Sequence, residues 1–178
     1  MNTDELKLKY ASMATVLKKE LGLKNALASP RLLKIVVNIG VGRREEKDIE
    51  IIKKHLEMIT GQKCSLRKAK KSIASFKSRK GMVVGLSCAL RSGRMYDFLE
   101  KLLNITFARI RDFRGISPKS IDSSGNLTYG FKEYIVFPET AGEDVRTPFG
   151  LEVTLVTSAK TKEEAFALFK ALGVPFRK

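Results

Sequence analysis

Between Glu57 and Asp97 the chain carries no carboxylate, yet ten cationic side chains fall there: Lys63, Arg67, Lys68, Lys70, Lys71, Lys77, Arg79, Lys80, Arg91 and Arg94. The densest part, LRKAKKSIASFKSRKG at 66–81, holds seven of them with three serines and a glycine. Cations this close cannot be neutralised locally, and none can be buried alone, so the segment must stand in solvent or meet an anion. Most lysine clusters are solvated, salt-bridged faces, but the acids such a face needs are missing here. A nucleic-acid surface is therefore favoured, with Ile73 and Phe76 expected either to anchor the tip or to stack on a base.

The rest of the chain fits that partner. A net charge of +15 and a pI near 9.9 favour a polyanion, nucleic acid before an anionic membrane surface. With 43% hydrophobic residues in 178, the chain can build one packed domain over 1–178. No apolar run approaches the roughly 18 residues of a membrane span. The opening MNTDELKLKYASMATVLKKELG carries acids and has no continuous apolar centre, unlike a secretory signal. The expectation is a cytosolic protein with no membrane partner. Cys64 and Cys88 are too far apart for a CxxC motif and too few for a disulfide framework. With His55 they would make an unusual ligand set, so they read as reduced structural thiols, with no metal and no cofactor.

Periodicity predicts a helix over 3–21 from Leu6, Tyr10, Met13, Leu17 and Leu21, closed at Gly22. RLLKIVVNIGVG predicts a strand centred on Ile35–Val37. Asp48 is expected to cap the next helix, whose inner stripe is Ile52, Leu56 and Ile59 and whose end is the TGQ at 60–62. Residues 63–69 and 82–91 predict two strands joined by a long basic tip, and Ser92-Gly93 a turn. A helix follows with Tyr96, Leu99, Leu103 and Phe107 on one side. Residues 111–130 read mostly as loop, FKEYIVFPE and GLEVTLVTSA as strands. Thr161 and Glu164 form a capping box for a last helix with a stripe of Ala165, Leu168, Phe169 and Leu172, stopped by Gly173 and Pro175. Helices and strands do not alternate regularly. The expected fold is α+β, one domain, with helices on an antiparallel or mixed sheet and a long basic hairpin-like loop.

Enzymatic readings do not hold. VVNIGVGRRE offers G-x-G after a strand, but Glu45 stands where a dinucleotide loop needs its third glycine, and a carboxylate there repels pyrophosphate. GLSCA resembles a nucleophile elbow, yet Ser87 lies within a strand pattern, and His55 sits on a helix, flanked by lysine and leucine, as a surface residue. The paired acids adjoin helix starts or loops. Among nucleic acids, RNA is preferred to DNA. No helix-turn-helix, zinc finger or basic zipper is present, and sheets and loops rich in Lys, Asn, Gln and Ser suit backbone and 2′-hydroxyl reading.

Several stretches carry a family resemblance: KIVVNIGVG, TGQK, KAKKSIASFK, RKGMVVG, RMYDFLEKLL, RIRDFRGIS, GNLTYGFKE, FPE and TSAKTKEEAFALFKALGVPFR. Together, from about Leu6 onward, they resemble the bacterial large-subunit ribosomal protein L-five family. RDFRG and the AKTxEEA…LGxPF ending are the most specific. The resemblance implies a non-enzymatic constituent of the large ribosomal subunit, cytoplasmic in the ribosome. Such a protein attaches 5S rRNA in the central protuberance, touches P-site tRNA, and neighbours large-subunit rRNA, other ribosomal proteins and one protein of the small-subunit head. It places 5S rRNA contacts at Lys34, Asn38, Gln62 and Arg91, and tRNA contacts at Lys77, Arg79 and Lys80. Lys63, Arg67, Lys68, Lys70 and Lys71 extend the basic RNA surface. The chain departs from the family pattern at Ala89, where threonine is usual, at Lys80, where an acid is common, and at Cys64, Val83 and Ala108, where proline is common. RDFRGI also has a structural reading, with Asp112 paired to Arg111 or Arg114 and Phe113 buried. A free-standing RNA chaperone or assembly factor on the same fold is the alternative function, and a phosphate-cofactor enzyme the alternative from another class.

Overall fold

Alternation in β1 (Leu32–Gly40) decides how the sheet divides inside from outside. Ile35, Val37 and Ile39 are buried, while Asn38 and Gly40 are exposed and Lys34 and Val36 half-buried. The computed structural model describes residues 13–42, 44–140 and 148–177. In it β2 (Ser65–Lys68), β3 (Val83–Leu90), β4 (Leu127–Phe131) and β5 (Leu151–Thr157) join β1 in one sheet of order β2-β3-β1-β5-β4. Every pairing is antiparallel, so the mixed sheet left open by the sequence is not formed. The inward residues of β3 and β5 (Leu86, Cys88 and Leu90; Leu151, Val153 and Leu155) complete the apolar face.

The helices cover that face. In α1 (13–20) Met13 and Leu17 are buried, as the stripe predicts; the rest of the predicted helix, residues 3–12, lies outside the described residues. In α2 (Glu46–Thr60) the predicted stripe of Ile52, Leu56 and Ile59 is buried, and Gly61 closes the helix at φ 64°. Its N-cap is Glu45, not Asp48, which sits in the first turn with Glu46, where carboxylates suit the helix dipole. His55 also corrects the sequence reading. It is buried, stacked on Tyr134 at 5.1 Å, with Phe149 beyond at 6.1 Å, because position 55 lies on the Ile52–Ile59 side of the helix.

Ser92 and Gly93 begin α3 (Ser92–Lys101) and do not form a separate turn. The helix continues as a π turn (Leu102–Thr106) and then as α4 (Phe107–Arg109). The buried side carries Met95, Phe98, Leu99 and Leu102, with Tyr96 and Leu103 on its flank. In α5 (Lys162–Ala171) Thr161 caps the helix as predicted, Glu164 N donating to Thr161 Oγ1 at 3.3 Å, but the Glu164 carboxylate accepts from Lys160 N at 2.8 Å, one residue before the cap.

The fourth strand lies earlier than the sequence suggests. Asp122 Oδ1 accepts from the backbone N–H groups of Ser124 and Asn126 at 2.9 and 2.8 Å, closing a tight turn from which the chain enters β4 directly. Thr157 Oγ1 donates to Gly125 O at 2.7 Å and fixes that turn beside β5. The segment read as a strand, FKEYIVFPE, instead holds the end of β4, a 3-10 turn at Tyr134–Val136 and another at Pro138–Thr140. No helix among the described residues is long and apolar enough to cross a membrane.

Candidate nucleic-acid interface

The outward side chains of the sheet form a surface of small and polar residues. Asn38 on β1 is flanked by Ser87 on β3 and Glu152 on β5, Val36 by Ala89 and Thr154, and Gly40 by Gly85. On β4, Thr128 bonds Thr154 hydroxyl to hydroxyl at 3.1 Å. Gly85 has a steric reason to lack a side chain, since a Cβ there would lie 2.9 Å from Ile39 O. No bulky side chain stands in the centre of this face, so a nucleic-acid backbone can approach the ladder closely.

The four residues expected to hold 5S rRNA share this face. Ile35 pairs with Leu90, so Lys34 and Arg91 stand opposite each other one step beyond. Gln62 Nε2 donates to Ala89 O at 3.3 Å, holding the amide against the same end of β3 with its own oxygen left as an acceptor. Asn38 lies four residues further along β1, about 13 Å away at strand rise. The set thus spans one row with cations at one end and a neutral amide at the other. Glu152, which the sequence reading did not single out, stands beside Asn38. A carboxylate there disfavours phosphate and favours donors such as a base amino group or a ribose 2′-hydroxyl. The only local signal for Glu152 was the alternation of GLEVTLVTSA.

The remaining cations lie on the hairpin. Ser65 pairs with Ser87 and Arg67 with Gly85, which carries β2 out along β3. Beyond it Ala69 N donates to Met82 O at 2.8 Å and Gly81 N to Ala69 O at 3.0 Å. Ile73 and Ser78 exchange backbone bonds of 3.1 and 3.2 Å around a tight turn at Lys77, whose φ is 48°. Lys80 N donates to Ser72 Oγ at 2.9 Å. The basic tip is therefore a second, smaller hairpin at the end of the first. Lys77, Arg79 and Lys80 are exposed on it, Lys63, Arg67, Lys68, Lys70 and Lys71 are exposed along its stem, and Lys34 is half-buried on the sheet. Ile73 and Phe76 are 46% and 68% exposed, so neither anchors the tip in the body.

The other motifs resolve into structure. Phe113 stacks on Phe107 at 5.2 Å, half-buried as the structural reading of RDFRGI requires, but Asp112 forms no ion pair with Arg111 or Arg114. That loop lines an open cleft of about 760 Å³ in which Arg109, Arg111, Arg114 and Lys132 face Asp112 and Glu133. Val41, between Gly40 and Gly42, donates its N–H to Val84 O at 3.1 Å, a turn tied to the hairpin. Ser87 lies within β3 and not on an elbow. Both cysteines are free thiols, and no group of three or more His, Cys, Asp or Glu among the described residues is placed to hold a metal.

These features define a class: a strongly basic α+β protein with an open polar sheet and a cationic arm. Comparison with known proteins places it within that class. The chain belongs to the ribosomal protein L5 family: the family model described as Ribosomal protein L5 matches residues 25–79, and the model for the C-terminus of the same family matches residues 83–176. The boundary falls in the tip of the hairpin, yet β1, from the first part, sits between β3 and β5 from the second. Relatives include proteins named large ribosomal subunit protein uL5. That of Prochlorococcus marinus is 46% identical over 177 residues, covering 97% of this chain and 99% of its own. That of Halothermothrix orenii is 48% identical over 155 residues, covering 86% and 87%. That of Malacoplasma penetrans is 50% identical over 164 residues, covering 91% and 88%.

Proposed function

We propose that the protein is a structural constituent of the large ribosomal subunit, cytoplasmic within the ribosome, that holds 5S rRNA on the open face of its sheet and helps attach it in the central protuberance. The hairpin tip reaches P-site tRNA through Lys77, Arg79 and Lys80, with Lys63, Arg67, Lys68, Lys70 and Lys71 along the stem as further phosphate partners. A protein of the small-subunit head and neighbouring large-subunit rRNA are further contacts that the family resemblance implies. The observation that carries this reading is the placing of Lys34 and Asn38 on the outward side of β1, with Arg91 just past the end of β3 and Gln62 bonded to that same end, apart from the arm. The two surfaces differ in chemistry. The face offers amides, hydroxyls and one carboxylate beside its two cations, which suits base edges and ribose; the arm is dominated by charge, which positions a backbone without reading its sequence.

The test is binding to 5S rRNA across a salt series, with tRNA and an unrelated structured RNA of similar length as competitors. A 5S preference that persists as salt rises supports the reading. Equal, salt-fragile binding to all three leaves a general RNA chaperone. Within that assay Asn38→Ala and Gln62→Ala are each expected to lose about 1 kcal/mol of 5S affinity, roughly fivefold, and less on the unrelated RNA. Equal losses on both would remove the direct-reading claim. Neutralising Lys77, Arg79 and Lys80 together is expected to flatten the salt dependence of tRNA binding by about 0.7 to 0.9 log units per lost phosphate contact. An unchanged slope would show that the tip does not bind phosphate.

A further inference from the structure

We propose that Cys64 and Cys88 form a dithiol site, oxidised by small aliphatic disulfides to an intramolecular bridge across the root of the basic arm. Ser65 pairs with Ser87, so residue 64 stands opposite residue 88 one step toward the body. Gln62 Nε2 donates to Ala89 O at 3.3 Å and keeps the segment alongside β3, and Cys64 N donates to Glu57 Oε1 on α2 at 3.1 Å. Directly opposed residues of an antiparallel pair have Cα atoms about 4.5–5.5 Å apart, within the span a disulfide accepts. Cys88 points inward with Leu86 and Leu90, and its cross-strand partner must point the same way. The Cys64 thiol donates to Gln62 O at 3.7 Å, and Cys88 is its neighbour across the strand pair.

Exposure and protonation divide the work. Cys64 is half-buried and Cys88 only 2% exposed, so a reagent meets Cys64 first. The neighbouring Cys64 thiol, helped by the Thr60 hydroxyl and Arg94, holds the Cys88 thiol down to about 6, while the Cys88 sulfur and burial push Cys64 up. The pair thus holds one proton between two sulfurs near neutral pH. The Cys88 thiolate takes the proton from Cys64 as the Cys64 sulfur attacks one sulfur of the reagent. The reagent S–S bond breaks, a mixed disulfide forms at Cys64, and the departing thiolate is protonated. Cys88, having released its proton to solvent, then attacks Cys64 Sγ and expels the second reagent thiolate, which is protonated in turn. The two cysteines lose two electrons and the one proton they share, and the reagent, taking a second proton from solvent, becomes two thiols.

The bridge would enclose 65–87, and with them every cation of the arm from Arg67 to Lys80, and would fix the root of that arm to the core strand. Nothing in the RNA contacts proposed above requires it. The experiment treats the folded full-length protein with excess hydroxyethyl disulfide and weighs it intact. The expected result is loss of both thiols, a mass lower by two hydrogens, a 64–88 cross-linked peptide, and reversal by dithiothreitol. Cys88→Ser is expected to keep one reagent adduct at Cys64, and Cys64→Ser to react about tenfold more slowly than the native chain because its remaining thiol is buried. Wild-type protein that retains reagent adducts overturns the proposal. So does one that keeps both thiols under conditions that fully oxidise the urea-unfolded chain. The wild-type mass decides even where a variant folds poorly.

Discussion

Phe137→Ala is expected to lower the free energy of unfolding by about 3 to 5 kcal/mol. The ring is fully buried, stacked on Phe98 at 6.2 Å and edge-on to Phe131 at 5.3 Å. Its backbone is held from both sides. Phe137 N donates to Tyr134 O at 3.0 Å, and Phe137 O accepts from Thr140 N at 3.2 Å and from Thr140 Oγ1 at 2.8 Å. A segment pinned in this way cannot slide to fill the space the ring leaves, so the loss includes a cavity as well as transfer of the ring. Urea unfolding followed by circular dichroism measures it. A loss below about 1.5 kcal/mol would mean the segment collapses onto the void and does not brace α3 against the sheet.

Gly115→Ala is expected to cost about 3 kcal/mol by a different route. Gly115 has φ 92°, and a Cβ there would lie 2.6 Å from Arg177 N and 2.7 Å from Phe176 C. Those atoms are backbone and cannot rotate aside. The residues around them are bonded across the gap, Ile116 N to Pro175 O at 2.8 Å and Arg177 N to Ile116 O at 2.9 Å. The methyl group therefore either strains the backbone or parts these two bonds, detaching the end of the chain. Gly130→Ala is the control, because nothing lies within 4 Å of a Cβ there and its φ is not positive. Its unfolding midpoint is expected to stay close to that of the native chain. Equal losses at the two glycines would show that contact at Gly115 is not the cause.

What could be read from sequence followed the reach of local periodicity. Ile35, Val37 and Ile39 alternate cleanly, and Ile52, Leu56 and Ile59 fall at helical spacing, so β1 and α2 were legible. The hairpin tip was legible from charge, since seven cations within 66–81 with no carboxylate among them cannot pack inward. His55 was misread because lysine neighbours outweighed its place on the inner stripe. Of the side read for α3, Leu99 and Phe107 are buried, while Tyr96 and Leu103 sit at the margin and Met95, Phe98 and Leu102 take the inner positions beside them. Downstream, Thr106 Oγ1 reaches back five residues to Lys101 O within a π turn, which moves the spacing away from 3.6. β4 was placed late because the Asp122 turn ends a Ser- and Gly-rich stretch that reads as loop throughout. The candidate site shows the same limit. Lys34 and Asn38 lie on one strand two turns of alternation apart, but Glu152 and Ser87 join them only through antiparallel register, which no single strand encodes.

The position of β1 between β3 and β5 has a consequence for how the chain is made. Leu32 meets Thr157 and Asn38 meets Glu152, more than a hundred residues away in each case. A chain emerging from its N-terminus can close the β2–β3 hairpin early and lay β1 against β3, but the other edge of β1 stays unpaired until nearly all of the sequence has been synthesised. Such distant pairing slows folding and leaves a strand edge open to other chains in the interval. The cationic arm is complete well before the platform that carries it. During that interval the nascent chain exposes its cations before the sheet face beside them exists.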